Sequence, residues 1–209
     1  MKGILVILDG IGDLPNKLVE DKTPLEKANT PNMDFLATRG ELGYMYPIKP
    51  SFVPASDEAI LSIFRNDITL TSRGPLEVKG AGMKMTRGDL AFRVNFGTID
   101  SLKKGNILDR RAGRTLTTEE AKALSAAINR IKMPCKFDFE PTIQHRAALI
   151  FRGGFSDNIT GNDLTYIQGK SHNADKIGKC KPMDEEENTF YTMNLVNDFL
   201  EKVHEVLNN

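Results

Sequence analysis

The sequence has little cysteine, little histidine, no surplus of either charge and no long apolar run. Its two cysteines, Cys135 and Cys180, lie far apart and outside any CxxC or Cys/His cluster, which excludes a disulfide framework and a zinc module and suits a reducing cytoplasm. Both are expected as ordinary free thiols. The N-terminal apolar run stops at Asp9 after five aliphatic residues, too short for a signal-peptide core or a membrane span. Lys and Arg total 28 against 28 Asp and Glu, so nothing draws the whole chain to nucleic acid or an anionic membrane, and any basic site is local. HExxH, GxSxG, a Walker loop and GxGxxG are all missing, which removes the main support for zincin, α/β-hydrolase, P-loop and Rossmann readings. There is no internal repeat and no low-complexity linker. At 209 residues the chain can bury roughly 70–75% of its unfolded surface without a staple.

What is present has an α/β texture. Residues 4–8 (Ile-Leu-Val-Ile-Leu) read as a central strand buried on both faces, closed by the turn Asp9-Gly10-Ile11-Gly12-Asp13. Asp9 then stands at the strand's carboxyl end, where the loops of an open sheet diverge; it either turns the loop or faces a ligand. Residues 30–37 place a proline in a first helical turn with Met33, Leu36 and Ala37 on one face, and 43–48 read as extended. Near 53–61 a proline-bearing loop becomes an apolar helix at Ser56, which is either an N-cap or the neighbour of a phosphate held by the helix N-terminus.

From Ser72 onward glycines punctuate short extended pieces such as residues 90–96, which predicts a separate domain. Residues 117–120 (Thr-Thr-Glu-Glu) are a capping box for a helix with Ala121, Leu124, Ala127, Ile128 and Ile131 on one stripe. Residues 146–152 are a further strand ended by Gly153-Gly154, giving an α+β insert. The acidic run 184–187 suits a helix start; Phe190, Met193, Val196, Phe199, Leu200, Val203, Val206 and Leu207 then predict a long amphipathic helix.

The densest polar cluster is Asp109-Arg110-Arg111-Ala112-Gly113-Arg114, with Arg87 and Arg93 upstream. Converging guanidinium forks suit a small dianion, and the same residues suit an ion-pair network around Asp109. No aromatic residue interleaves with them, which disfavours a single-stranded nucleic-acid platform. His145, His172 and His204 have no metal-ligand spacing. His145, entering a strand beside Arg146, meets a phosphate or satisfies a turn. His204 falls in the last turns of the long helix, where the dipole accounts for it.

Four stretches in order then carry a resemblance: Ile7-Leu8-Asp9-Gly10-Ile11-Gly12-Asp13; Lys22-Thr23-Pro24-Leu25-Glu26-Lys27-Ala28; Thr30-Pro31-Asn32-Met33-Asp34-Phe35-Leu36-Ala37; and Pro54-Ala55-Ser56-Asp57-Glu58-Ala59. Arg73-Gly74-Pro75-Leu76-Glu77, residues 87–96, residues 109–114 and His145-Arg146-Ala147 continue it. The set resembles the N-terminal half of archaeal-type 2,3-bisphosphoglycerate-independent phosphoglycerate mutases of the alkaline phosphatase superfamily. The resemblance implies a partial alkaline-phosphatase-like α/β core from residues 1–72, an inserted α+β substrate-binding domain at 73–182, and a helix at 183–209 returning to the core.

It further implies that Ser56 is the phosphorylated nucleophile and a metal ligand, that Asp9 is a metal ligand, and that Arg93, Asp109, Arg110, Arg114 and His145 clamp the substrate. Two divalent ions, Mn²⁺ or Mg²⁺, are implied, with the remaining Asp and His ligands expected from a C-terminal half not contained in these 209 residues. The implied substrate is phosphoglycerate, interconverted between its 3- and 2-forms in the cytoplasm without bisphosphoglycerate, with no nucleic acid or membrane partner and the oligomeric state open. Ala55 stands where the family usually has glycine. A phosphonopyruvate decarboxylase-like enzyme and a truncated paralogue that only binds a phosphorylated metabolite or partner are the alternatives.

Overall fold

The computed structural model describes residues 2–69, 72–163, 166–167, 170–171 and 175–208. His172 lies outside them. The chain forms two compact units, Met1–Pro50 and Ser51–Asn209.

The first unit holds a 3-10 turn (Lys17–Val19), α1 (Pro24–Lys27) and α2 (Pro31–Ala37). Local chemistry explains both helices. At α1 the Thr23 hydroxyl accepts from the Glu26 amide at 3.2 Å while the Glu26 carboxylate accepts from the Thr23 amide at 2.8 Å, a complete capping box. At α2 proline pre-sets the first turn, and the Thr30 hydroxyl donates to the Asp34 carboxylate rather than capping an amide.

Residues 4–8 and 43–48, however, form no strand. A strand needs a neighbour for its amides and carbonyls, and no strand exists in this unit among the described residues. The turn after residue 8 is as expected, with Gly10 at φ +75°.

The second unit opens with α3 (Ser56–Ile63) and α4 (Arg73–Gly80), followed by β1 (Leu90–Asn95), β2 (Thr98–Ile99) and β3 (Ile107–Asp109). Next come α5 (Thr118–Ile128), β4 (Lys136–Pro141), β5 (Arg146–Arg152), β6 (Tyr166–Ile167), β7 (Lys170–Ser171) and α6 (Glu187–Leu207). An antiparallel sheet in the order β1-β5-β4 is its centre, and β2-β3 and β6-β7 are small hairpins. Directly opposed residues share a face, so the register sorts the sheet. Phe92 and Phe139 flank Leu149, and Leu90 and Phe137 flank Phe151, building the apolar face against α5 and α6. Phe151 meets Phe92 and Phe199 edge-to-face, both at 5.4 Å between ring centroids. The opposite face carries Ala91, Ala148 and Ile150, covered by Val78 of α4.

Strands β1 and β5 and helix α5 fall where the sequence predicts them. Helix α4 and strand β4 are among the elements that escaped it. Helix α4 hides under a Gly-Pro pair, yet Pro75 lies in its first turn, where proline is tolerated, and buried Gly74 lets it touch the sheet: a Cβ there would lie 2.1 Å from the Ala91 carbonyl oxygen. Strand β4 is a plain Lys-Phe-Asp-Phe-Glu alternation, a signal available in the sequence.

The stripe of helix α6 covers the sheet through Leu195 and Phe199. Its buried side also rotates: Thr189 and Thr192 are wholly buried whereas Phe190 is 43% exposed. The two threonines face inward because their hydroxyls have partners, Thr189 with the Ser156 hydroxyl at 2.7 Å and Thr192 with the Ser156 amide at 3.1 Å.

Candidate active site

Ser56 is the first residue of α3, and Ala55, extended at φ −76° and ψ 162°, is the cap residue. The N-cap role weighed for Ser56 is therefore not the one it has. Alanine offers no side-chain acceptor, so only half of a capping box is made, the Glu58 carboxylate accepting from the Ala55 amide at 2.8 Å. The first turn of α3 thus presents backbone amides that no cap side chain covers.

Asp57 follows, and its carboxylate lies 3.1 Å from the Arg73 guanidinium at the start of α4. One turn further along α4, Glu77 lies 2.9 Å from Arg93 of β1. Helix α4 therefore ties the segment carrying Ser56 to the strand carrying Arg93, and Gly74 between the two pairs holds that helix against the sheet. A cavity of about 380 Å³ opens beside them, lined by Asp57, Arg73, Glu77, Thr142 and Arg146 among others. Arg73, Glu77 and Arg146 were not among the expected site residues. Their signal was an arginine or glutamate within the Arg73–Glu77 and His145-Arg146 motifs, unreadable without knowing that α4 is a helix.

The arginine loop makes a second cavity of about 470 Å³, lined by Asp109, Arg110, Arg111, Gly113 and Arg114. Asp109 organises it: its carboxylate accepts from the Gly113 and Arg111 amides, which holds its pKa below the usual carboxylate range. Three successive residues, Ala112, Gly113 and Arg114, take positive φ, a strained path for alanine and arginine that splays the guanidinium groups around one turn. Arg110 is ion-paired with Asp163. Arg111, absent from the expected set, lines the cavity instead, and neither it nor Arg114 has an ion-pair partner among the described residues.

His145 is the electrostatic link. It is only 6% exposed, and its Nδ1 has no hydrogen-bond partner among the described residues. Burial, then the charges of Arg146, Arg111 and Arg93, push its pKa below the ordinary imidazole value against a smaller opposing pull from Asp109. Arg93 and Asp109 thus lie within electrostatic reach of His145.

Asp9 lies on the exposed turn of the first unit. Among the described residues no three His, Cys, Asp or Glu side chains converge as a metal site would require. Asp9 and Ser56 supply one carboxylate and one hydroxyl, and octahedral Mg²⁺ or Mn²⁺ needs more oxygen ligands than that. These two donors do not fit a two-metal centre by themselves. Neither thiol adds to them: burial pushes Cys180 up to about 11, and its Sγ donates to the Thr160 carbonyl. No helix among the described residues is long and apolar enough to cross a membrane.

Comparison with known proteins gives a consistent result. The family model described as 2,3-bisphosphoglycerate-independent phosphoglycerate mutase matches residues 37–209. A protein of that name from Thermococcus kodakarensis is 44% identical over 212 residues, covering 99% of this chain and 48% of its own length. A mutase of the same description from Archaeoglobus fulgidus is 37% identical, covering 100% and 50%. A solved structure, the cofactor-independent phosphoglycerate mutase from Thermoplasma acidophilum, superposes with a TM-score of 0.55 at 35% identity over 97% of this chain and 52% of that one. The chain spans about half the length of the curated relatives it matches.

Proposed function

Given that this chain belongs to the 2,3-bisphosphoglycerate-independent phosphoglycerate mutase family, we propose that it provides the nucleophile and substrate clamp of a mutase interconverting 3- and 2-phosphoglycerate. In this reading Ser56 Oγ attacks the phosphorus of 3-phosphoglycerate. The Oγ–P bond forms, the bond from phosphorus to the C3 oxygen breaks, and the serine proton ends on that oxygen. After the glycerate turns, its 2-hydroxyl takes the phosphoryl group back and Ser56 recovers its proton. Bisphosphoglycerate has no part in this cycle.

The observation that carries the reading is the geometry at Ser56. Its helix begins with an alanine cap that makes no side-chain bond, and the positive end of the helix dipole favours phosphoryl oxygens beside the hydroxyl. Arg93, Asp109, Arg114 and His145 hold the glycerate. Arg110 joins them by exchanging its bond to Asp163, and Arg111 is an added member.

The same reading assigns residues 1–72 to part of an alkaline-phosphatase-like core, 73–182 to the insert and a cytoplasmic location. The Mn²⁺ or Mg²⁺ ions expected from the resemblance need ligands from the half of the relatives' length that this chain does not cover. They are not used in the steps above.

The test is conversion of 3- to 2-phosphoglycerate with Mn²⁺ or Mg²⁺ and no bisphosphoglycerate, using this chain alone and completed by the remaining half of the Thermococcus relative. In the completed protein Ser56→Ala is expected to reduce turnover by at least about a thousandfold. Undiminished turnover in that variant, or a folded completed protein without activity, overturns the reading. A completed protein that binds 3-phosphoglycerate without converting it indicates the non-catalytic paralogue.

A further inference from the structure

At one end of the central sheet Asn95 of β1 lies opposite Arg146 of β5, and the amide of Thr142, just past β4, donates to the Arg146 carbonyl at 2.9 Å. Directly opposed residues share a face, so these three side chains form one row across three strands. The row is on the α4 side, because Arg146 alternates along β5 with Ala148 and Ile150, which Val78 of α4 covers. Arg146 and Thr142 both line the cavity of about 380 Å³ described above.

Among the charged residues lining that cavity, Arg73 is paired with Asp57 and Glu77 with Arg93. Arg146 has no ion-pair partner among the described residues, which leaves the cavity one positive charge to be balanced. In the same row two buried polar atoms, Thr142 Oγ1 and Asn95 Oδ1, make no hydrogen bond among the described residues. Buried polar atoms of this kind are costly until a partner reaches them. One unpaired guanidinium suits a monoanion with two oxygens, whereas the arginine turn, where Arg111 and Arg114 both lack an ion pair, suits a dianion.

We propose that the row Asn95, Arg146 and Thr142 is a carboxylate subsite. The Arg146 fork takes both carboxylate oxygens, the Thr142 hydroxyl donates to one of them, and Asn95 Oδ1 accepts from an inner N–H of the guanidinium. Leu76 and Ile143 line the same cavity and lower its polarity, which strengthens the pair. The inference rests on the mutase reading for the identity of the ligand, whose carboxylate is that of the glycerate. Asp57, the residue after Ser56, lines the cavity too, so the anchored end is held beside the helix that carries the nucleophile. A held carboxylate is then the pivot about which the C2 and C3 oxygens exchange places at Ser56.

The probes are 3-phosphoglycerate and glycerol 3-phosphate, which lacks the carboxylate, titrated by NMR into this chain and by calorimetry into the completed protein. Expected is binding of 3-phosphoglycerate at least about tenfold tighter than glycerol 3-phosphate, narrowing to about threefold or less in Arg146→Gln. Arg146→Lys, which keeps the charge and loses the fork, should fall between the two. Thr142→Val should weaken 3-phosphoglycerate about threefold and leave glycerol 3-phosphate unchanged. Arg146 is exposed, so Arg146→Gln should fold normally, checked by an unchanged urea midpoint.

A preference that survives Arg146→Gln, or is missing from the unsubstituted protein in both forms, overturns the inference. So does an equal loss for both ligands, which would mean a general field rather than a carboxylate contact. A preference that depends on Arg146 in a completed protein without turnover leaves the subsite standing and removes the phosphoryl transfer; turnover with a preference indifferent to Arg146 does the reverse.

Discussion

Residues 147–151 and residues 4–8 are runs of the same length and similar apolar character, yet Ala147, Ile150 and Phe151 are fully buried while Ile4, Leu5 and Val6 are largely bare. The second unit closes its core around β5 because β1, β4, α4, α5 and α6 all come from the same 159 residues, Ser51–Asn209. The first unit contains no buried residue among those described. Apolar content thus sets the demand for burial, and the supply depends on whether partner elements lie in the same chain. The site repeats this division. Arg93, Asp109, Arg110, Arg114 and His145 lie within the second unit, whereas Asp9 belongs to the first.

The contrast can be broken most sharply by paired truncations. Phe199→Ala removes a ring packed on Phe137 and Phe151 and is expected to cost about 3–5 kcal/mol, whereas Leu5→Ala should change stability by less than about 0.5 kcal/mol. Urea unfolding of the two variants checks both; a large loss from Leu5→Ala would mean the first unit has a core after all. Gly74→Ala comes next, at about 3 kcal/mol, because its Cβ would collide with backbone that cannot move aside. The same measurement applies, and an unchanged midpoint would remove α4 as the element tying Asp57 to Arg93.

A smaller effect separates the units by pH. His145 lies in the second, and its folded pKa is depressed, so the unfolded chain takes up the proton first. The contribution of His145 is then fully present above about pH 6.5 and is lost as pH falls through the lowered folded value. Thermal unfolding between pH 7.5 and 5 should show this decline, flattened in His145→Asn; an identical slope in the variant would count against a buried neutral imidazole. Smallest is the thiol contrast. At pH 8 Cys180, raised to about 11, should resist alkylation in the folded protein far longer than after unfolding, as mass spectrometry would report.

Much of the second unit was legible in the sequence. The Thr117–Glu120 box, the β5 run and the α6 stripe are local signals, and the arginine loop was visible as a cluster. Thr189 and Thr192 were not legible as core, because hydroxyls read as surface until Ser156 brings them partners. Helix α4 was obscured by the glycine that lets it dock. With it went the two ion pairs that link Asp57 and Arg93 to one helix, and hence the place of Arg73 and Glu77 in the site.

By itself the sequence determined where helices start, which strands alternate or run apolar, and that an arginine-rich turn exists, since caps, periodicity and charge clusters act over a few residues. Only the tertiary structure decided that residues 4–8 form no strand, that α6 covers the sheet, and that burial and neighbouring arginines lower the His145 pKa. Pairing, burial and desolvation depend on groups far away in the chain, and a single stretch of sequence does not contain them.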